Sequence, residues 1–351
     1  MKRNVKQSLF IAFGIIAVGQ IFSNKIYRDV FYKRLDKREE GWQYGVDHFE
    51  EISRIKAVFP TKNDIHLVGY FYYNGHFKNP VKESKGIIIL ANGYMQSHLD
   101  YLYDIDYLVK CGFMVFGYDN CGCYESGGEK TYGIEQTVID LKYALNYIEG
   151  LMGKVTPMFI YGHSMGAYAG ATVLNYSNRI KGVVLRSGFI SPNKIIMDVL
   201  ENTIGKFSFL LFPFIIPYRI FLFGNVALKN SVTAIKNTKV KVYLMQSEDD
   251  PIVSLKHSLY GQRDKFLKKE NVYTRLYYGR GHDIVRSEEA MRYYQQKTVE
   301  RKKIIEQYGG ELHVPADVLD KFYQELNREV ANQHDDAVLD LIARFFESCV
   351  V

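Results

Sequence analysis

The sequence predicts an α/β fold: a mostly parallel central sheet flanked by helices, with a helical cap-like insertion and an N-terminal apolar helix. Three observations carry this. Short, nearly continuous apolar runs recur along the chain, each followed by a helix-like segment, as expected of strands buried on both faces of a helix-covered sheet. One connection, Phe189–Thr238, is far longer than the turns between the other runs. A charge-free apolar stretch, Leu9–Phe22, stands outside the alternation.

The N-terminal stretch reads LFIAFGIIAVGQIF and follows Lys2, Arg3 and Lys6. Fourteen residues of helix cover about 21 Å, short of the ~20 residues a full span needs. Three readings compete: a membrane anchor or interfacial helix within residues 1–24, a signal segment cleaved near Ala17-Val18-Gly19, and a helix packed on the protein itself. The first is preferred. Three Lys/Arg precede the stretch and six follow it closely (Lys25, Arg28, Lys33, Arg34, Lys37, Arg38), which by the positive-inside rule puts the following domain on the cytoplasmic side. These residues, set against Asp29, Asp36, Glu39 and Glu40, also hold nearly all of the net charge of +6. The rest of the chain is close to neutral. A nucleic-acid footprint belongs on the folded domain, so the charge points to a membrane surface and nucleic acid is excluded.

Residues 25–50 are charged and aromatic and predict a helix leading into the domain. Ile52–Tyr73 predicts a hairpin, two apolar runs flanking Thr61-Lys62-Asn63-Asp64. The strand-like runs follow in order: Gly86–Ala91, Phe113–Tyr118, Met158–Tyr161, Gly182–Leu185, Val240–Met245 and Tyr273–Tyr278. The core is thus expected over 50–188 and 239–351, with 189–238 as a cap or lid. The centre of that insertion, Phe207–Phe223, is strongly apolar, but Pro213 and Pro217 argue against a straight spanning helix. The segment after Arg286 is amphipathic and helical, with Pro315-Ala316-Asp317 marking a helix start.

In such sheets chemistry lies outside the carboxyl ends of the strands. Gly162-His163-Ser164-Met165-Gly166 directly follows one run and precedes the helix-like AYAGATVLNY. A serine on a sharp strand-to-helix turn projects its hydroxyl, and Gly162 and Gly166 leave room for the tight backbone. Ser164 is the candidate nucleophile. The amide of Met165, at a helix N-terminus, is one candidate oxyanion donor, and the amide of Tyr94, in the loop after the first central strand, is the other. His282 follows the last run and is the candidate base. The acid that orients it belongs after the preceding strand, where Glu248, Asp249 and Asp250 cluster; Asp250 is the choice and Asp249 the runner-up. Four cysteines (Cys111, Cys121, Cys123, Cys349) match neither a disulfide framework nor a zinc site. No metal or cofactor is expected.

With these residues in place the chain resembles the α/β-hydrolase superfamily, in its serine aminopeptidase-like and monoacylglycerol lipase/lysophospholipase-like branch. The resemblance covers about Ile52–Ile284. It rests on NGYMQSHLDY, YDNCGCYESGG, YGHSMGAYAG, SEDDPIV and GRGHD. It departs from the family pattern at Asn92, where a His is usual, at Cys121, where an Arg is usual, and at Ser247, where a Gly is usual. The resemblance implies acyl transfer through a Ser164–His282–Asp250 triad, with Phe189–Thr238 as the cap. The apolar cap and N-terminus favour an ester of an acyl lipid as substrate. A peptidase on the same triad is the enzymatic alternative, and a non-catalytic membrane-associated binding module is the alternative of another class.

Overall fold

The computed structural model describes residues 2–36, 42–153 and 156–350. Lys37, Arg38, Glu39 and Glu40, part of the charge cluster named above, lie outside the described residues. The strands are β1 (Ile52–Pro60), β2 (His66–Asn74), β3 (Ile87–Ala91), β4 (Met114–Tyr118), β5 (Met158–His163), β6 (Ile180–Arg186), β7 (Lys241–Ser247) and β8 (Val272–Tyr277). They form one sheet in the order β1-β2-β4-β3-β5-β6-β7-β8. β1 pairs antiparallel with β2, and β2 antiparallel with β4; every later pairing is parallel. The mostly parallel sheet and the hairpin at its edge are therefore as the sequence predicts.

The helices are α1 (Lys2–Phe31), α2 (Pro80–Glu83), α3 (Leu102–Lys110), α4 (Gln136–Met152), α5 (Met165–Thr172), α6 (Pro192–Ile204), α7 (Ser208–Phe223), α8 (Ser231–Lys236), α9 (Glu288–Gln307), α10 (Ala316–Gln324), α11 (Arg328–Ala331) and α12 (Asp336–Glu347). Two apolar layers cover the sheet. On one face Val138, Leu141, Leu145 and Ile148 of α4, with the small residues of α5, pack on Ile87, Ile89, Phe116 and Ile160. On the other, Ile105 and Leu108 of α3 and Leu339, Ile342 and Phe346 of α12 pack on Ile88, Val115, Phe159 and Val184. Alternate residues of each strand feed opposite layers, which is why the strands read as unbroken apolar runs. The tail after His282 thus supplies, through α12, part of the core.

Two local expectations are corrected. The predicted helix over 25–50 ends at Phe31, where α1 stops; the chain then runs extended and Leu35 bridges to Cys123. The prolines do not break Phe207–Phe223: α7 runs continuously through Pro213 and Pro217. Helix α1 lies along it, with Gln20 Nε2 donating to Phe214 O at 2.7 Å and Ser23 Oγ to Leu211 O at 3.2 Å. Contacts from nearly two hundred residues away offset the local cost of the prolines. By length and composition, Gly205–Asn237 is the stretch among the described residues suited to crossing a membrane. It lies mid-chain rather than at the N-terminus.

Candidate active site

Ser164 sits between β5 and α5 with φ 54° and ψ −113°, a conformation disfavoured for a residue with a Cβ. The turn is held by Ser164 N–H to Arg186 O at 2.8 Å and by Tyr168 N–H to Ser164 O at 3.1 Å. Its neighbours must be small. A Cβ on Gly162 would lie 2.6 Å from Gly166 O, and one on Gly166 would lie 1.9 Å from Ala91 O. Both glycines are thus required by close backbone approach, the second against the strand that leads into the Asn92–Gln96 loop.

His282 and Asp250 are in direct contact. His282 Nδ1 is 3.0 and 2.9 Å from the two Asp250 carboxylate oxygens. The carboxylate is buried and fixed on its remaining lone pairs: Ile252 and Val253 N–H donate to Oδ1 at 2.9 Å, and Gln246 Nε2 to Oδ2 at 2.8 Å. An ionised acceptor in this position makes Nδ1 the protonated ring nitrogen and leaves Nε2 able to take a proton. The imidazole's backbone is held as well, since Ser187 Oγ donates to His282 O at 2.7 Å. Among the described residues no hydrogen bond joins Ser164 Oγ to this imidazole; in such sites that contact commonly tightens only when substrate binds.

Asp249 has a different partner set. Its carboxylate accepts from Ser247 Oγ at 2.5 Å and from the amides of Arg280 and Gly281 at 3.2 Å. Burial works to raise this carboxyl, but those hydrogen bonds outweigh it and hold it below its ordinary value. Asp249 therefore ties the β7 loop to the turn just before His282. Ser247, which stands where the family has a glycine, takes part in that tie.

Tyr94, Met165, Ser164 and His282 line one cavity of about 320 Å³. Phe31, Ile134, Phe189, Ile195, Val199, Ile252 and Val253 give it apolar walls, with Gln96 and His163 as further polar members. The cavity's size is in the range of small-molecule sites. Phe189, Ile195 and Val199 come from the insertion between β6 and β7, and Phe31 from the end of α1. Asn92, in place of the family's His, donates from Nδ2 to Tyr118 O at 2.7 Å and fastens the Tyr94 loop to β4. Of the sequence-derived residues, then, Ser164, Met165, Tyr94 and His282 share the cavity, with Asp250 behind the histidine and the two glycines beneath the serine.

Several members of the site carry no local sequence signal. Tyr101 OH accepts from Gly93 N–H at 2.9 Å and lies 2.8 Å from His163 Nδ1, while His163 Nε2 lies 3.2 Å from His282 O. Burial, with help from nearby Arg186, pushes His163 well below the usual histidine range, so it stays neutral. Beneath it, Arg186 is buried and pairs with Asp283 at 3.1 Å. Burial would raise Asp283, but Arg186 and Arg286 reverse this and hold it well below the carboxylate range. Only the later strand order reveals that these residues meet.

This sheet order, with a serine at a strained turn after β5 and the acid and histidine after β7 and β8, defines an α/β-hydrolase fold. Residues 82–218 match the family model described as serine aminopeptidase, S33. The structure is similar to an esterase of Pyrococcus furiosus, with TM-score 0.54 and 19% identity over 77% of this chain and 96% of that one. It is also similar to an acylaminoacyl peptidase of Pyrococcus horikoshii, with TM-score 0.50 and 14% identity over 67% of this chain and 39% of that one. No curated protein matches the chain in sequence. The chain has the α/β-hydrolase fold, part of it matches a serine-hydrolase family, and an esterase and a peptidase are among the proteins of similar structure.

Proposed function

We propose that the protein hydrolyses carboxylic esters of acyl chains, of the monoacylglycerol or lysophospholipid kind, through Ser164, His282 and Asp250. The observation that carries this reading is the setting of Ser164: its cavity is walled by Phe31, Ile134, Phe189, Ile195, Val199 and Ile252. An aminopeptidase would need a carboxylate to hold the substrate's amine, and none lines the cavity among the described residues. The peptidase reading keeps support from the family match.

His282 Nε2 takes the proton of Ser164 as its oxygen attacks the ester carbonyl. The amides of Met165 and Tyr94 stabilise the oxyanion. His282 then passes the proton to the departing alcohol, leaving an acyl-serine. Water repeats the sequence, giving its proton to His282 and releasing the acid. Asp250 holds the histidine tautomer throughout. The apolar stretch Leu9–Phe22 attaches the protein to a membrane surface, and the charge asymmetry around it puts the domain on the cytoplasmic side.

The test is hydrolysis of p-nitrophenyl esters of rising chain length by the full chain, with Ser164→Ala as control. Activity that rises with chain length and vanishes in the variant supports the proposal. Activity confined to short esters and aminoacyl amides favours the peptidase. Folded protein with no activity, and no labelling by a fluorophosphonate, favours a binding module.

A further inference from the structure

Helix α7 has one charged residue, Arg219. That residue is turned inward: it is buried against Glu135, also buried, near the start of α4. What remains outside is apolar. Phe207, just before the helix, is 72% exposed, Phe209 60%, Leu210 54% and Phe221 82%. Helix α1 lies against it with the same inverted pattern. Its polar Gln20 and Ser23 face α7 and bond to its carbonyls, and Gly19 lets the Phe214 ring approach closely. Ile16, Val18, Ile21 and Phe22 are exposed.

In water, a helix pair buries its apolar residues and shows its polar ones. Tyr27 packs on Tyr218, and Ile215 and Phe223 turn to the core, but over Ile16–Ser23 the polar and small residues meet α7 and the large apolar ones face out, as in lipid, where small residues permit close approach and polar side chains bond between helices. Protein-binding surfaces are on the whole about as apolar as the rest of a protein surface, which does not fit an outward face that carries no charge over Ile16–Phe22 of α1 or over α7. Lys25, Arg28 and Lys206 are exposed at the edges, where cations meet anionic headgroups. Sixteen residues make α7 about 24 Å long, less than a ~30 Å hydrocarbon layer, and Arg219 fixes it to the core. It therefore lies in the interface.

We propose that α1 and α7 form one bilayer-embedded pair, so that the cap itself, and not the N-terminal helix alone, touches lipid. The Ser164 cavity adjoins this pair: Phe31 ends α1, and Ile195 and Val199 belong to α6, which packs on α7. Acyl substrates are then drawn from the membrane, a clause that rests on the ester-hydrolase reading above.

The experiment uses the full chain bound to vesicles of phosphatidylcholine and phosphatidylglycerol. Phe221→Trp adds emission at α7, read against the wild type, whose Trp42 is buried elsewhere. Brominated-acyl phosphatidylcholine is expected to cut the added emission by about half or more. Unquenched emission from protein that sediments with the vesicles overturns the proposal. So does a concentration-dependent dimer that buries the new tryptophan without vesicles, which would make a second copy the occupant. In parallel, Phe209→Glu with Phe221→Glu is expected to lower hydrolysis of a vesicle-borne acyl ester about tenfold while leaving that of soluble p-nitrophenyl butyrate unchanged. Equal loss or no loss on both substrates overturns the delivery role. If Ser164→Ala leaves the hydrolysis intact, the ester-hydrolase reading fails, and the quenching still decides the contact with lipid.

Discussion

Arg219 of α7, in the insertion between β6 and β7, reaches into the core and donates from Nε to Glu135 Oε1 at 2.7 Å, with both side chains almost wholly buried. A further nitrogen of the same guanidinium donates to Asn193 Oδ1 at 2.6 Å, on the neighbouring helix α6. One side chain thus joins α6, α7 and the core. Arg219→Ala leaves an uncompensated buried carboxylate and is expected to cost about 3–5 kcal/mol. Replacing both partners together, by Arg219→Met and Glu135→Leu, is expected to recover much of that loss. Chemical denaturation of the two singles and the double measures the difference.

The two neighbouring aspartates are expected to separate by function. Asp250→Asn removes the charge that fixes the His282 tautomer, and a fall of roughly 10²–10⁴-fold in kcat is expected, with KM little changed. Asp249→Asn loosens the tie to Arg280 and Gly281, and an effect within about tenfold is expected. Ester-hydrolysis kinetics on both variants decide. A larger loss for Asp249→Asn would reverse the assignment.

Asp140 on α4 is buried and its carboxyl is raised to about 7, chiefly by desolvation, although Cys121 N–H and Gln136 donate to it. A carboxyl whose folded value exceeds its unfolded one binds its proton more tightly when folded. Its contribution is fully present below about 4 and is lost as pH rises towards 7. The wild type is therefore expected to lose stability between about pH 4 and 7 relative to Asp140→Asn, whose side chain cannot ionise. Thermal unfolding of both across that range checks the slope.

The chain beyond His282 is expected to be indispensable. Phe346 of α12 is fully buried and packs on Phe113 and Phe159. Phe346→Ala is expected to cost about 3–5 kcal/mol, and removal of residues 310–350 to leave insoluble protein. A soluble, active truncation would refute this.

The sheet was legible because buried parallel strands write their environment as unbroken apolar runs, and Ser164, Asp250 and His282 because each follows such a run. The choice of Asp250 over Asp249 could not be argued from residue type; it lies in which carboxylate faces the imidazole and which faces the Arg280–Gly281 amides. Continuity of α7 across Pro213 and Pro217 was also hidden, because α1 supports it from far away in sequence. Tyr101, His163 and Arg186 were missed for the same reason, their roles coming from strand order.

Phe31 closes α1 and also forms part of the wall around Ser164. The seat of the first helix and the shape of the cavity are thereby joined in one side chain, so a change in how α1 lies on the protein changes the space beside Ser164.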